Sequence, residues 1–262
     1  MATVIWDGSA ADGDFTNAAN WSTGSAPIAA DDVVFNSGAI NVSTGLTPSL
    51  VTYASFTVTN DYTGLIGTEA AFLTINSTLV NIGGGSGAGS QRLNINLGTV
   101  VSTITITGSN GTGTDTNRAP IRIVCNNVSS DFYISGSSSK VGLFDEPDDT
   151  GAIGDLNVLG GNVFVGENIT SYTAVNVSGA STVLTISQPT AAQTITMDGG
   201  TVTVNGTNAI AAVVQRGGTY ISNSTGIITA YTLRGGTLDM QQQEQARTIT
   251  TLTQSPLTTI FK

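Results

Sequence analysis

Three features of this sequence predict an all-β fold, a single-chain parallel β-helix or β-solenoid with about 18–20 residues per turn and an aromatic cap at its N-terminal end. A glycine pair recurs at nearly constant spacing, strand-type alternation flanks each pair, and both tryptophans fall in the opening segment. A repeat of this length marks a coil whose units bury their apolar faces only against one another.

The repeat is clearest in residues 213–240, where Gly217-Gly218-Thr219 and Gly235-Gly236-Thr237 stand 18 residues apart. Gly199-Gly200-Thr201 lies a further 18 residues upstream, and Gly160-Gly161-Asn162 is a more distant relative. Taking the residue after the pair as a marker gives Asn162, Thr182, Thr201, Thr219 and Thr237, with steps of 20, 19, 18 and 18, and Pro256 lies 19 beyond. Ile195, Met197, Val202 and Val204, then Tyr231, Leu233, Leu238 and Met240, alternate with polar or β-branched residues as half-buried strands do. The glycines supply the corner between two strands, and Gly217 is the candidate for a positive φ. Val213 and Gln215 fall where Ile195 and Met197 stand one turn earlier, and Ser222 falls opposite Val204; a local bulge or a narrower final cross-section would absorb the change.

The chain therefore divides into a capping segment, residues 1–36, and one continuous solenoid, residues 37–262, more regular from 156 to 257. An 18-residue turn at about 3.3 Å per residue has a perimeter near 60 Å, enough for one filled layer of side chains. The first half carries the same strand chemistry in residues 54–59, 71–83, 92–98, 102–108 and 120–128, with polar insertions at 83–91 and 107–120 and an acidic loop at 144–154. Trp6, Phe15 and Trp21 are expected to close the coil, the rival reading being aromatic platforms for sugar. The C-terminal segment turns polar and then adds a last strand at 257–261, and it reads as a closing turn or a docking tail.

Charge and residue content exclude several functions. Eight Lys and Arg against 18 Asp and Glu leave a net charge of −10, with the cations scattered as Arg92, Arg118, Arg122, Lys140, Arg216, Arg234, Arg247 and Lys262, which argues against nucleic-acid binding. Asp198, Arg216 and Arg234 share one phase, so a modest surface ion pair is expected between the first two. The chain has no histidine, which removes Ser-His-Asp and Cys-His catalysis and the common zinc sites, and no cofactor is expected. The lone Cys125 reads as a small core residue. Asp145, Glu146, Asp148 and Asp149 form the densest acidic group; they read as a solvated turn, with Ca²⁺ as the alternative ligand. No basic region followed by an apolar run opens the chain, and no segment approaches membrane-spanning length, so neither export nor a membrane partner is expected.

The opening Trp6-x-Gly8, Phe15, Asn20-Trp21, Gly24, Pro27 and Asp31-Asp32-Val33-Val34-Phe35, followed by SFTVTNDYTGLIG and the later Gly-Gly-Thr turns, resembles Gly/Thr-rich β-solenoid proteins of tailed-bacteriophage virions. A similar opening occurs in autotransporter-associated repeat passengers. The first resemblance implies a non-enzymatic capsid decoration or cement protein on the outer surface of the head, assembled in the host cytoplasm. Its implied partners are the major capsid protein and itself, as a homotrimer, and no catalytic residues carry over. The alternatives are a surface adhesin or glycan-binding solenoid, and then a β-helical depolymerase, which needs two carboxylates about 5 to 9 Å apart in a groove.

Overall fold

The computed structural model describes residues 1–48, 51–84, 92–109, 119–146, 148–190, 193–241, 246–256 and 258–261. The insertions at 83–91 and 107–120 fall largely outside these residues, as do Arg118, Pro147, Leu257 and Lys262. The fold is a β-solenoid. Among the described residues a sheet of 12 parallel strands and a sheet of 11 face one another, and from Asp32–Phe35 onward the chain alternates between them. A two-stranded sheet, Gly151–Ala152 with Ile169–Ser171, lies in the connections. Twelve strands at about 4.8 Å make a rod on the order of 50 Å long.

Stacking in register produces the core. One inward column runs Val4, Val33, Phe56, Val80, Ile104 and Phe132, and continues through Leu156, Val175, Ile195, Val213 and Tyr231 to Leu252. Up to Tyr231 none of these is more than 2% exposed. The sequence interval between successive members is long as far as Leu156 and then shortens, as in the steps from Ile195 to Val213 and from Val213 to Tyr231. The second half therefore holds the short repeat, while the first half adds its length in connections. In the opposite sheet Ile121, Val141, Val163, Leu184, Val202, Tyr220, Leu238 and Ile260 form the facing column.

The phase of the repeat is corrected at two points. Asn162 pairs with Val183, not Thr182, and Val183 pairs with Thr201. Thr237 pairs with Thr259, so Pro256 is not its equivalent. In both cases one connection is longer than the marker allowed, and hydrogen-bond register follows the strands. Gln215 takes the inward place opposite Met197 without a bulge. Its Nε2 donates to the carbonyls of Gly218 (2.9 Å) and Thr237 (3.0 Å), and its Oε1 accepts from Tyr231 Oη at 2.6 Å. A buried amide is tolerated here because all of its strong hydrogen-bonding groups find partners.

At the N-terminal end Trp6 and Trp21 are 2% exposed and Phe15 1%, with the tryptophan rings 5.1 Å apart edge to face. Trp21 Nε1 donates to the Phe15 carbonyl at 2.7 Å and Trp6 Nε1 to that of Ile40 at 3.2 Å. Buried rings with their polar edges satisfied are a cap, and they leave no face on which a sugar could stack. The same segment contributes strands Thr3–Ile5 and Asp32–Phe35 to the sheet it covers.

The corners divide labour between the two glycines. The second of each pair has a positive φ, 73° at Gly200 and Gly218 and 83° at Gly236, whereas Gly217 does not. The first instead allows close stacking, since a Cβ on Gly217 would come within 2.5 Å of the Asp198 carbonyl one turn below. Gly218→Ala is expected to cost about 1–2 kcal/mol from the backbone alone, and more through collision with the Gly200 carbonyl. Urea denaturation reads this directly, and an unchanged midpoint would contradict the corner assignment.

Candidate functional site

The side chains that combine charge, burial and a cleft lie where the irregular first half joins the regular second half. Arg92 precedes strand Leu93–Leu97, and Arg122 is the second residue of Ile121–Cys125. In the second strand Ile121 and Ile123 belong to the core, so Arg122 points to the outer face by alternation. It is nevertheless only 4% exposed, because the acidic loop folds over it.

The turn that brings the loop back begins at Phe144, which holds a φ of 54°, a region rarely used by a bulky residue. Gly142 stands directly beside Arg122 in the ladder, and any Cβ there would run into the Asp145 carboxylate. A side chain at 142 would thus evict the group that occupies the space over the strand.

Asp145 and Arg92 both have fully buried side chains and meet at 3.0 Å through Nη2 and Oδ2, while Asp145 Oδ1 lies 3.4 Å from Arg122 Nε. Arg122 holds Asp149 in a two-pronged contact, Nε at 3.0 Å and Nη2 at 2.8 Å, and donates from Nη1 to the Glu69 carbonyl at 3.0 Å. Its guanidinium also sits 4.4 Å from the centre of the Phe72 ring. Arg92 Nη1 reaches Glu69 Oε2 at 3.3 Å and Glu146 Oε1 at 3.2 Å. The acidic loop is therefore an ion-paired clamp and not a solvated turn, and two of the scattered cations converge from segments 53 and 27 residues away. The misreading has a plain cause: sequence distance hides spatial partners, and an acidic loop looks alike whether it faces water or arginine.

Burial pushes Asp145 up to about 6 against the opposing pull of Arg92 and Arg122. Beside the clamp a cleft of about 570 Å³ is lined by Glu69, Ala70, Phe72, Arg122, Glu146, Asp148 and Asp149. Because a single nitrogen, Arg92 Nη1, contacts both Glu69 and Glu146, their carboxylates are held close together at its edge. Among the described residues no group of three or more acidic or thiol side chains is arranged to hold a metal ion. For Asp145 and Asp149 the reason is visible, since guanidinium groups already face their oxygens. Asp198 and Arg216 form the expected surface pair at 3.1 Å, both half exposed. Cys125 is buried in the core, and burial pushes its thiol up, as suits an inert residue. Among the described residues no helix is long and apolar enough to cross a membrane. Comparison with protein-family models, curated proteins and solved structures finds no match.

Arg92→Met is expected to destabilise the fold by about 3–5 kcal/mol, because it leaves a buried carboxylate without its closest cation. The pH dependence has a defined sign. Asp145 titrates near 3.8 when unfolded and near 6 when folded, so between about pH 4 and pH 6 the folded state binds the extra proton. Its contribution to stability is present at the acidic end and is lost as pH rises through that window. Asp145→Asn should remove this slope from a denaturation series run from pH 4 to pH 7, and an unaltered slope would assign it to other groups.

Proposed function

We propose that the protein is a non-enzymatic structural component of a tailed-phage particle, a capsid decoration or cement protein that binds the major capsid protein on the outer surface of the head. The observation that carries this reading is the build of the rod: a core packed along its whole length, one end sealed by aromatic residues, the other ending in an exposed apolar layer. Such an object is suited to occupy a surface and bury an end, and burial against a partner adds stability by mass action. The resemblance of the opening segment supplies the particle and adds a homotrimer as the assembled form. Burial of Trp6 and Trp21 removes the aromatic platforms that favoured an adhesin and leaves that reading only the Asn-rich turns.

A second reading, a glycan-cleaving solenoid, draws on the Glu69 and Glu146 pair beside the cleft. It ranks lower because one guanidinium holds both carboxylates as acceptors, while Asp145, the carboxyl group raised to about 6, is wholly buried and out of a substrate's reach.

Mass spectrometry of purified particles, counting this chain against the major shell protein, is expected to give a near-stoichiometric ratio. A few copies per particle would make it a fibre or tail part, and absence would sink the virion reading. Release of reducing sugar from a host polysaccharide, abolished by Glu69→Gln and by Glu146→Gln, would put the second reading first.

A further inference from the structure

At its C-terminal end the solenoid presents its core layer outward. Ile249, Leu252 and Ile260 continue the inward registers of Ile228, Tyr231 and Leu238. Tyr231 is 1% exposed, yet Leu252 directly beyond it is 41% exposed. With Leu238 and Met240 these residues line an apolar depression of about 190 Å³. Among the described residues no strand pairs with the outer edge of Ile249–Gln254 or of Thr259–Phe261. Neither strand contains a charged residue or a proline, the devices by which exposed edges are usually protected from pairing.

The N-terminal end is built the opposite way. The chain doubles back antiparallel beside the first strand, with Trp6 bridged to Trp21, Ser22 N donating to the Ile5 carbonyl at 2.9 Å and Asp7 N to that of Asn20 at 3.0 Å. Backbone pairing and aromatic rings together close that edge.

We propose that two copies of the chain join through their C-terminal ends about a two-fold axis, each setting its last described strands against those of the other. A head-to-tail contact would need an open edge at the N-terminal end, and that edge is occupied. A two-fold axis perpendicular to the facing sheets and lying just beyond the outer edges of both terminal strands sets each strand antiparallel to its own copy, so both sheets continue across the junction. Such a contact is self-complementary and closes at two copies. Charge favours the same end. Residues 1–198 hold 16 Asp and Glu against four Lys and Arg, whereas residues 199–262 hold two against four. The repulsion of a chain of net charge −10 is thus concentrated far from the junction, and the strands that meet are uncharged.

This contact is independent of the capsid reading and of any three-fold contact along the flanks, whose copy number it would double. Light scattering coupled to size exclusion tests it on the 262-residue chain of 26.6 kDa. An even number of chains is expected at tens of micromolar, and Leu252→Asp should halve the mass while far-ultraviolet dichroism keeps the parent β signal. Thr251→Lys, on the outward face of the same strand, should also halve the mass; it decides the matter if the first variant fails to fold. A parent of one or three chains, or a mass that both folded variants leave unchanged, would overturn the proposal. Particle counting is read separately, so paired chains absent from particles would refute the capsid role alone.

Discussion

A strand in a stacked coil has its amides and carbonyls satisfied by the rungs on either side, and its inward side chains buried by the same two neighbours. Every other feature of this molecule answers to that constraint. It explains why the inward columns are mainly apolar, interrupted by the small Ser222 in the register of Val204 and by Gln215, whose amide Tyr231 and two carbonyls satisfy. It explains the paired glycines at the later corners, since a Cβ would lie 2.5 Å from a carbonyl one turn below at Gly217 and 2.3 Å at Gly235. It also makes the two ends the energetically distinct parts of the rod. One is closed by Trp6, Phe15 and Trp21, and at the other no layer lies above Leu252 and Ile260 among the described residues.

The charged clamp addresses a different difficulty. The long turns of the first half carry connections that the regular coil does not stack, and a loop contributes little packing of its own. Arg92 and Arg122 tie the 144–149 loop and Glu69 to the strands beneath, so that distant turns share one set of contacts. Buried ion pairs give little net stability relative to an apolar core. What this one supplies is position: the ionised Asp145 carboxylate is paired where both guanidinium groups stand, which holds the loop in a single place. The cleft beside it is a consequence of that folding-over.

How much could be read in advance divides along the same line. The solenoid, the inward residues of its second half, the N-terminal cap and the Asp198–Arg216 pair were all visible, because each depends on spacing that repeats along the chain or on residue types gathered at one end. The clamp was not, because its partners are separated by as many as 54 residues and by insertions of irregular length. An outward arginine at a strand position whose ladder neighbour is a glycine, as at Arg122 and Gly142, is the one local hint of something lying over the sheet. The phase of Thr182 and Pro256 failed for a smaller reason: counting residues cannot tell a longer corner from a shifted strand.

The sequence by itself determined that this chain coils as stacked parallel strands, where the corners at Gly200, Gly218 and Gly236 fall, and that its tryptophans close one end. Periodicity suffices for the coil and its corners because hydrophobic burial and backbone hydrogen bonding act rung by rung. Only the tertiary structure decided which charges meet, which glycine of each pair bears the left-handed turn, and that Leu252 at the far end is exposed where Tyr231 one rung before it is buried. Those outcomes depend on what stands across the coil or one turn away, and strand register, not sequence distance, sets that neighbour.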